Sequence, residues 1–455
     1  MQYMIADSIA QKDINPTIDA KLVGELKLSI LNKILPPKGN PNIQGDLNID
    51  LQLSGSVNNL SLFKPFGKVV VTNGSYADDL LPEKIEKFDA RLTVLPDTII
   101  VHELHTNFET SDASFQGKFI DPFPYLLPIK NLNRKKLKKP LFVFTFKSNR
   151  FDTDKLFPEA VPGVGDENKT ASLDSVSSII LPDIDGHGTF TIDTLIYSKV
   201  LLTSLHGKVN VKNKKIDCYD VSGNAYDGKI DGNTTIDLMD FDNPKYVGEF
   251  NAIQIEVRDF ANRFSKFSNM VSGKVDMKGS YSATGWEPEQ FLNSLTMNST
   301  SSIRQGKLNL SDKILSKANK NLDKLIPTIQ KEQSIQNLFT NIIIENGNVS
   351  FNKLTTKLGD MGDLEIDGFY NFNGDISFNG KTKFTNKLTK EIMNKLTSQD
   401  NLLGGLSSLL TKNSTIGNIT IPLKFGGTFE NPNFTLDFSS ILKNSTDNLL
   451  DKIIK

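Results

Sequence analysis

The sequence is poor in nearly everything that marks catalysis, metal binding or a membrane span. It has one cysteine, Cys218, which excludes an internal disulfide framework and a cysteine-based zinc cluster and reads as a small buried apolar residue. It has four histidines, His102, His105, His187 and His206. With 52 Lys+Arg against 53 Asp+Glu the formal net charge is −1, so no global field draws the chain to nucleic acid or to an acidic membrane. No apolar run approaches the ~18 residues that a membrane-spanning helix needs. The opening "MQYMIADSIAQKDINPTIDA" has neither the basic leader nor the apolar stretch of a secretory signal. As written the chain reads as unanchored, and its early entry into strand-like sequence reads as the later portion of something longer. Its 455 residues suit two or three ordinary domains or one elongated repeat body.

Motifs for chemistry are missing as well. There is no phosphate-binding GKS/T loop, no dinucleotide fingerprint after a strand and no G-x-S-x-G elbow. "HELH" (102 to 105) is not the HExxH of a zinc protease, and on a regular strand His102 and His105 point to opposite faces. "DIDGHG" (183 to 188) has the opening of a calcium loop but lacks the next ligand and the later glutamate, so it reads as a plain turn. Aromatics are not interleaved with arginine as in single-strand nucleic-acid binders. Carboxylates are plentiful, but none stand out as an acid–base pair. The expectation is a non-enzymatic protein with no cofactor, no metal and no nucleic-acid partner.

What the sequence does have is alternation with a period of two. In "GDLNIDLQLSGSV" Leu47, Ile49, Leu51 and Leu53 share one face while Asn48, Asp50 and Gln52 share the other, the pattern of a half-buried strand. It recurs in "GKVVVTNG", "RLTVLPDTIIV", "LFVFTFKS", "GKVNVKN", "GEFNAIQIEV", "NIIIENGNVSF" and "GNITIPLKF". Two distant copies align residue for residue: Ile421, Leu423, Phe425 and Gly427 match Ile49, Leu51, Leu53 and Gly55. Looser apolar-x-Gly-x-apolar copies centre on Gly117, Gly279 and Gly368. Asn73-Gly74, Asn346-Gly347 and Gln305-Gly306 read as hairpin turns. These features describe a β-unit repeated irregularly, with glycine where strands bend or pass closely.

Helical patterns are few: 256 to 267, 311 to 326, 386 to 396 with a leucine-rich extension to Leu410, and the C-terminus. They read as elements that cover sheet ends or faces, with membrane-surface contact as the alternative. The stretch 157 to 175, rich in Pro, Gly and acids, reads as a linker or loop between an N-terminal block (1 to 156) and a C-terminal region (176 to 455). Before it stands a basic run, Arg134, Lys135, Lys136, Lys138 and Lys139, either a solvated loop or a contact for anionic headgroups or a partner.

A one-sided sheet must be covered by a sheet, by helices, by closure or by a ligand, and these helices are too few for the whole of it. A trough lined by the apolar face would suit acyl chains, each buried CH₂ contributing about 0.8 kcal/mol. The stretches "SKVLLTSLHGKVNVKNKKIDCYDVSGNAYDGKIDGNTTIDL", "VRDFANRFSKFSNMVSGKVDMKGSYSATG", "LNSLTMNSTSSIRQGKLNL", "FTNIIIENGNVSFNKLTTKLGDMGDLEIDGFYNFNGDISFNG" and the closing "IPLKFGGT" strand stand in that order along the chain. On them the sequence resembles the AsmA/TamB-like family of bacterial envelope proteins. The resemblance implies a mainly β fold with a few short amphipathic helices, its repeated antiparallel sheet folded into an open hydrophobic groove. It further implies phospholipid transfer across the periplasm between inner and outer membranes, with membrane surfaces or envelope proteins as partners. Members usually begin with a transmembrane helix, which this chain does not show. Carried over as a face, the groove candidates are Leu47, Ile49, Leu51, Leu53, Ile419, Ile421, Leu423 and Phe425, with core packing as the alternative for each. Two rival readings are an assembly factor or scaffold for outer-membrane protein biogenesis that pairs its sheet edges with client strands, and a glycan-acting or structural β-solenoid of the cell surface.

Overall fold

The computed structural model describes residues 17–33, 40–56, 63–79, 81–126, 138–156, 184–197, 199–259, 270–310, 312, 316, 331–359, 361–371, 373–398, 419–428 and 431–437. Over these residues the chain is mainly β, with twenty strands and a few short helices. It divides into two compact units, residues 1–224 with 232–245 and residues 225–231 with 246–455.

The first unit contains β1 (Thr17–Lys27), β2 (Asn42–Ser56), β3 (Lys64–Ala77), β4 (Ile85–Val94), β5 (Thr98–Phe108), β6 (Asp112–Ile120), β7 (Leu141–Asp152), β8 (Asp185–Tyr197) and β9 (Val200–Lys212). Each is laddered to the strand before it, antiparallel throughout except for β7 and β8, which run parallel from Leu141↔Asp185 to Asp152↔Ile196. The stretch 157 to 175 falls between these two strands and lies outside the described residues. Next in sequence come β10 (Lys215–Ala225), β11 (Gly228–Asp237) and β12 (Lys245–Glu256).

The second unit continues with β13 (Val271–Thr284), β14 (Thr296–Asn309), β15 (Glu332–Glu345), β16 (Asn348–Leu358), β17 (Gly362–Asn371), β18 (Asp375–Phe384), β19 (Thr420–Thr428) and β20 (Pro432–Leu436), an antiparallel meander in chain order. Among the described residues one 3-10 helix (Leu28–Lys33) and four α-helices interrupt the strands: α1 (Phe123–Leu126), α2 (Thr153–Leu156), α3 (Pro288–Ser294) and α4 (Asn386–Ser398).

The three sequence-predicted turns divide. Asn346 and Gly347, with φ of 51° and 72°, make the two-residue link between β15 and β16, as a turn with two left-handed residues requires. Asn73-Gly74 and Gln305-Gly306 instead lie inside β3 and β14. Asn73 keeps a left-handed φ of 51°, but the register shifts there between Val71 and Gly74, so the dipeptide makes a bulge rather than a turn. Conversely, Asn213-Lys214 and Tyr226-Asp227 link strands with two left-handed residues each and no glycine.

Left-handed residues repeat within strands with a common chemistry, at Asn73 and Lys353 with a register shift beside them. Asn73, Asp220, Gln254 and Lys353 all sit within strands at φ between 51° and 57°. In each case the backbone N–H donates to a side-chain oxygen on the following strand: Asn73 to Asp89 Oδ1 (2.8 Å), Asp220 to Asn233 Oδ1 (3.1 Å), Gln254 to Asp276 Oδ1 (2.8 Å) and Lys353 to Asp367 Oδ1 (2.6 Å). A bulge takes an N–H out of the ladder; the carboxylate or amide opposite supplies the acceptor it loses.

Helix α4 is tied to the strands of the second unit. Thr385 caps it, its Oγ1 accepting from Leu388 N–H at 3.3 Å. Leu388, Thr389 and Ile392 are buried, as are Phe384 and Ile421 on the strands. Thr389 Oγ1 accepts the N–H of Ile419 at 3.2 Å, fixing the helix to the start of β19. The remaining helical patterns fall mostly or wholly outside the described residues.

Candidate functional site

Residues directly opposite one another in a ladder share a face, so the registers trace each face strand by strand. In the first unit one row runs Leu26, Leu47, Val71, Ala90, Leu104, Phe115, Phe146, Phe190. The next runs Gly24, Ile49, Val69, Leu92, Val101, Gly117, Phe144, Gly188, Val209. In the second unit a row runs Gly279, Ser299, Ile342, Phe351, Gly368, Phe378, Phe425, Phe434. Beside it runs Tyr281, Met297, Ile344, Val349, Tyr370, Ile376. Each unit therefore carries a nearly unbroken apolar face. The opposite faces carry cross-strand ion pairs such as Arg91–Glu103 (2.9 Å), Lys307–Glu332 (2.9 Å) and Lys381–Glu365 (3.1 Å); all are exposed and add little stability.

Aromatic rings concentrate on the apolar side. Phe115 stacks on Phe142 and Phe144 with centroids 5.1 and 5.8 Å apart, and Phe142 and Phe144 lie 5.2 Å from each other. In the second unit Phe378 lies 5.9 Å from Phe351 and 6.4 Å from Phe425. Glycines make room for these rings. A Cβ on Gly188 would meet the Phe144 ring at 2.7 Å, and one on Gly368 would meet Phe378 Cδ1 at 2.5 Å and Ser377 O at 2.2 Å. This cluster was missed among the candidate residues, although "LFVFTF" followed by Gly186-x-Gly188 carries its signal. Burial pushes the Tyr370 hydroxyl up to about 12.

Of the groove candidates, Leu47, Ile49, Leu51 and Leu53 lie on the first unit's apolar face and are half-buried, with Asn48, Asp50 and Gln52 exposed behind them. Ile421, Leu423 and Phe425 lie on the second unit's apolar face, opposite Thr382, Gly380 and Phe378. Ile419, Ile421 and Leu423 are buried, Ile421 completely, while Phe425 is half-buried. In the basic run, Arg134, Lys135 and Lys136 lie outside the described residues. Lys138 pairs with Asp121 at 2.7 Å and Lys139 donates to Asn213 Oδ1 at 3.0 Å.

Two local readings need correction. His102 and His105 do not face opposite ways: the register steps from Arg91↔Glu103 to Leu92↔Val101, and this bulge turns both rings to the polar side, against Thr93 Oγ1 and Ser114 Oγ at 2.8 Å each. Residues 185 to 188 are not a turn but the first residues of β8; Asp183 lies outside the described residues. Cys218 is half-buried, and burial, with Asp217 adding, raises its thiol pKa, the opposite of an activated nucleophile. Among the described residues no group of three His, Cys, Asp or Glu side chains is placed to hold a metal, and no helix is long and apolar enough to cross a membrane. No protein-family model matches the chain, and no curated protein or solved structure matches it either.

Proposed function

We propose that this protein is a non-enzymatic lipid-binding and transfer protein, a member of the AsmA/TamB-like group, working in the periplasm. Its apolar sheet face, folded as an open groove, holds phospholipid acyl chains and passes them between the membranes of the cell envelope. The observation that carries this reading is the pair of long one-sided apolar faces, whose side chains on β2 to β6 are mostly half-buried rather than packed away. A continuous hydrocarbon face without fixed polar partners suits a ligand that slides, since contact with acyl chains is non-directional. The repeated bulges support the groove, because each bends and twists its strand. Headgroups would stay toward water, giving low headgroup selectivity.

The test is lipid extraction and mass spectrometry of the purified protein, together with uptake of a fluorescent phospholipid from vesicles. Co-purified phospholipid and saturable uptake are expected. Neither lipid nor uptake would sink the conduit and leave the assembly-factor reading in its place.

A further inference from the structure

β1 is unusual among the strands in burying almost nothing. Every described side chain from Asp19 to Lys27 is exposed, including Leu22 and Leu26 on the apolar face at 51% and 44%; Val23, on the other face, is 61% exposed. Its ladder with β2 runs unbroken over eleven residues, from Thr17↔Ser56 to Lys27↔Asp46, with no bulge and no proline. Among the described residues β2 is the strand laddered to it, which leaves its other edge with a row of backbone donors and acceptors. Long flat edges of this sort pair with other strands unless something blocks them.

The sequence of β1, TIDAKLVGELK, identifies what fits that edge. When two copies are laid antiparallel about Val23, Asp19 falls opposite Lys27 and Lys21 opposite Glu25, each twice by symmetry. Ala20 then meets Leu26, Leu22 meets Gly24, and Val23 meets Val23. All four charges are matched in this one register, whereas centring on Leu22 would set Asp19 against Glu25. Within the chain, Asp19 and Lys21 have no ion pair among the described residues, while Lys27 pairs with Asp46 and Glu25 accepts from Asn48. Lysines on an edge normally repel an incoming strand; here each has a carboxylate waiting on the second copy.

We propose that β1 is a self-association edge, through which two copies of this chain join antiparallel about Val23. The pairing is isologous, with its two-fold axis normal to the sheet. Both apolar faces then fall on the same side, Ala20 of one copy beside Leu26 of the other. The proposal is independent of what occupies those faces.

An edge ladder buries an area at the low end of stable interfaces, so the association should be concentration-dependent, and sedimentation equilibrium up to about 100 μM is the suitable measurement. The expected mass rises toward twice 50.5 kDa. Lys21→Glu places two carboxylates together at both symmetric positions and should weaken the dimer at least tenfold. Glu25→Lys should do the same, and the double variant should restore it, because the swapped charges match again. Circular dichroism of each variant checks the monomer's fold, which these exposed positions should leave intact. A chain that stays monomeric throughout, or a dimer indifferent to Lys21→Glu, would overturn the proposal.

Discussion

Leu51 and Leu423 occupy matching places in two copies of one sequence unit, yet their surroundings differ: Leu51 is half-buried and Leu423 is buried. An aspartate at Leu51 can still reach water. Leu51→Asp should therefore cost about 1 kcal/mol of stability while lowering phospholipid uptake severalfold. Leu423→Asp has no such escape and should cost about 3 kcal/mol or more, taking fold and uptake together. Urea titrations beside the vesicle assay measure both. Asp89 offers a second test at this scale. Burial raises its pKa, but the N–H of Asn73 and the ammonium of Lys87 outweigh that and hold its carboxyl below the ordinary range. A depressed pKa in the folded state adds stability above the unfolded value near 4, and this is lost as pH falls through the folded value. Asp89→Ala should accordingly flatten the acid limb of the stability curve below about pH 4 and leave its shape near neutrality unchanged.

Strand bulges were the part of the structure least visible beforehand. Alternation in "GDLNIDLQLSGSV" was legible because a period of two depends only on near neighbours, and β2 keeps it without exception from Leu47 to Leu53. The dipeptide Asn-Gly could not be read the same way, since Asn346-Gly347 turns the chain while Asn73-Gly74 bulges within β3. What separates them lies on another strand: a Cβ on Gly74 would stand 2.4 Å from the Phe88 ring. Gly74→Ala should destabilise the protein by about 1–3 kcal/mol. Because that clash is with a side chain, the penalty should shrink when Phe88 is also cut to Ala, a coupling that a double-mutant cycle reads directly. The acceptors opposite the bulges are testable too. Asp276→Ala strips the partner from Gln254 N–H and should cost about 1 kcal/mol. Asp276→Asn should cost less, since Asn233 already does this task for Asp220. The His102–His105 pair teaches the same lesson, its orientation having been set by a register step that no local pattern announces.

At the scale of the molecule, every ladder within β1–β9 and β13–β20 joins strands adjacent in sequence. Stability in such a stack is close to a sum of nearest-neighbour terms, so opening should begin at its ends. Hydrogen exchange followed by mass spectrometry of dilute protein should find β1 exchanging well ahead of β3 to β5; equal protection would contradict a nearest-neighbour stack. The mainly β class and the one-sided faces could be read from the sequence because both are written in alternation. The direction of β8 could not, as parallel pairing depends on how the chain returns and leaves no mark in the strand itself.

The parallel step from β7 to β8 sets a rule of arithmetic for anyone wishing to shorten or lengthen the sheet. In an antiparallel meander two strands return the chain to its starting heading, so a hairpin is the smallest segment that can be spliced out or duplicated without reversing all that follows. β3 with β4, or β16 with β17, meets that condition. Between β7 and β8 the count shifts by one, and there a graft of one strand, not two, would restore a strict up-and-down order.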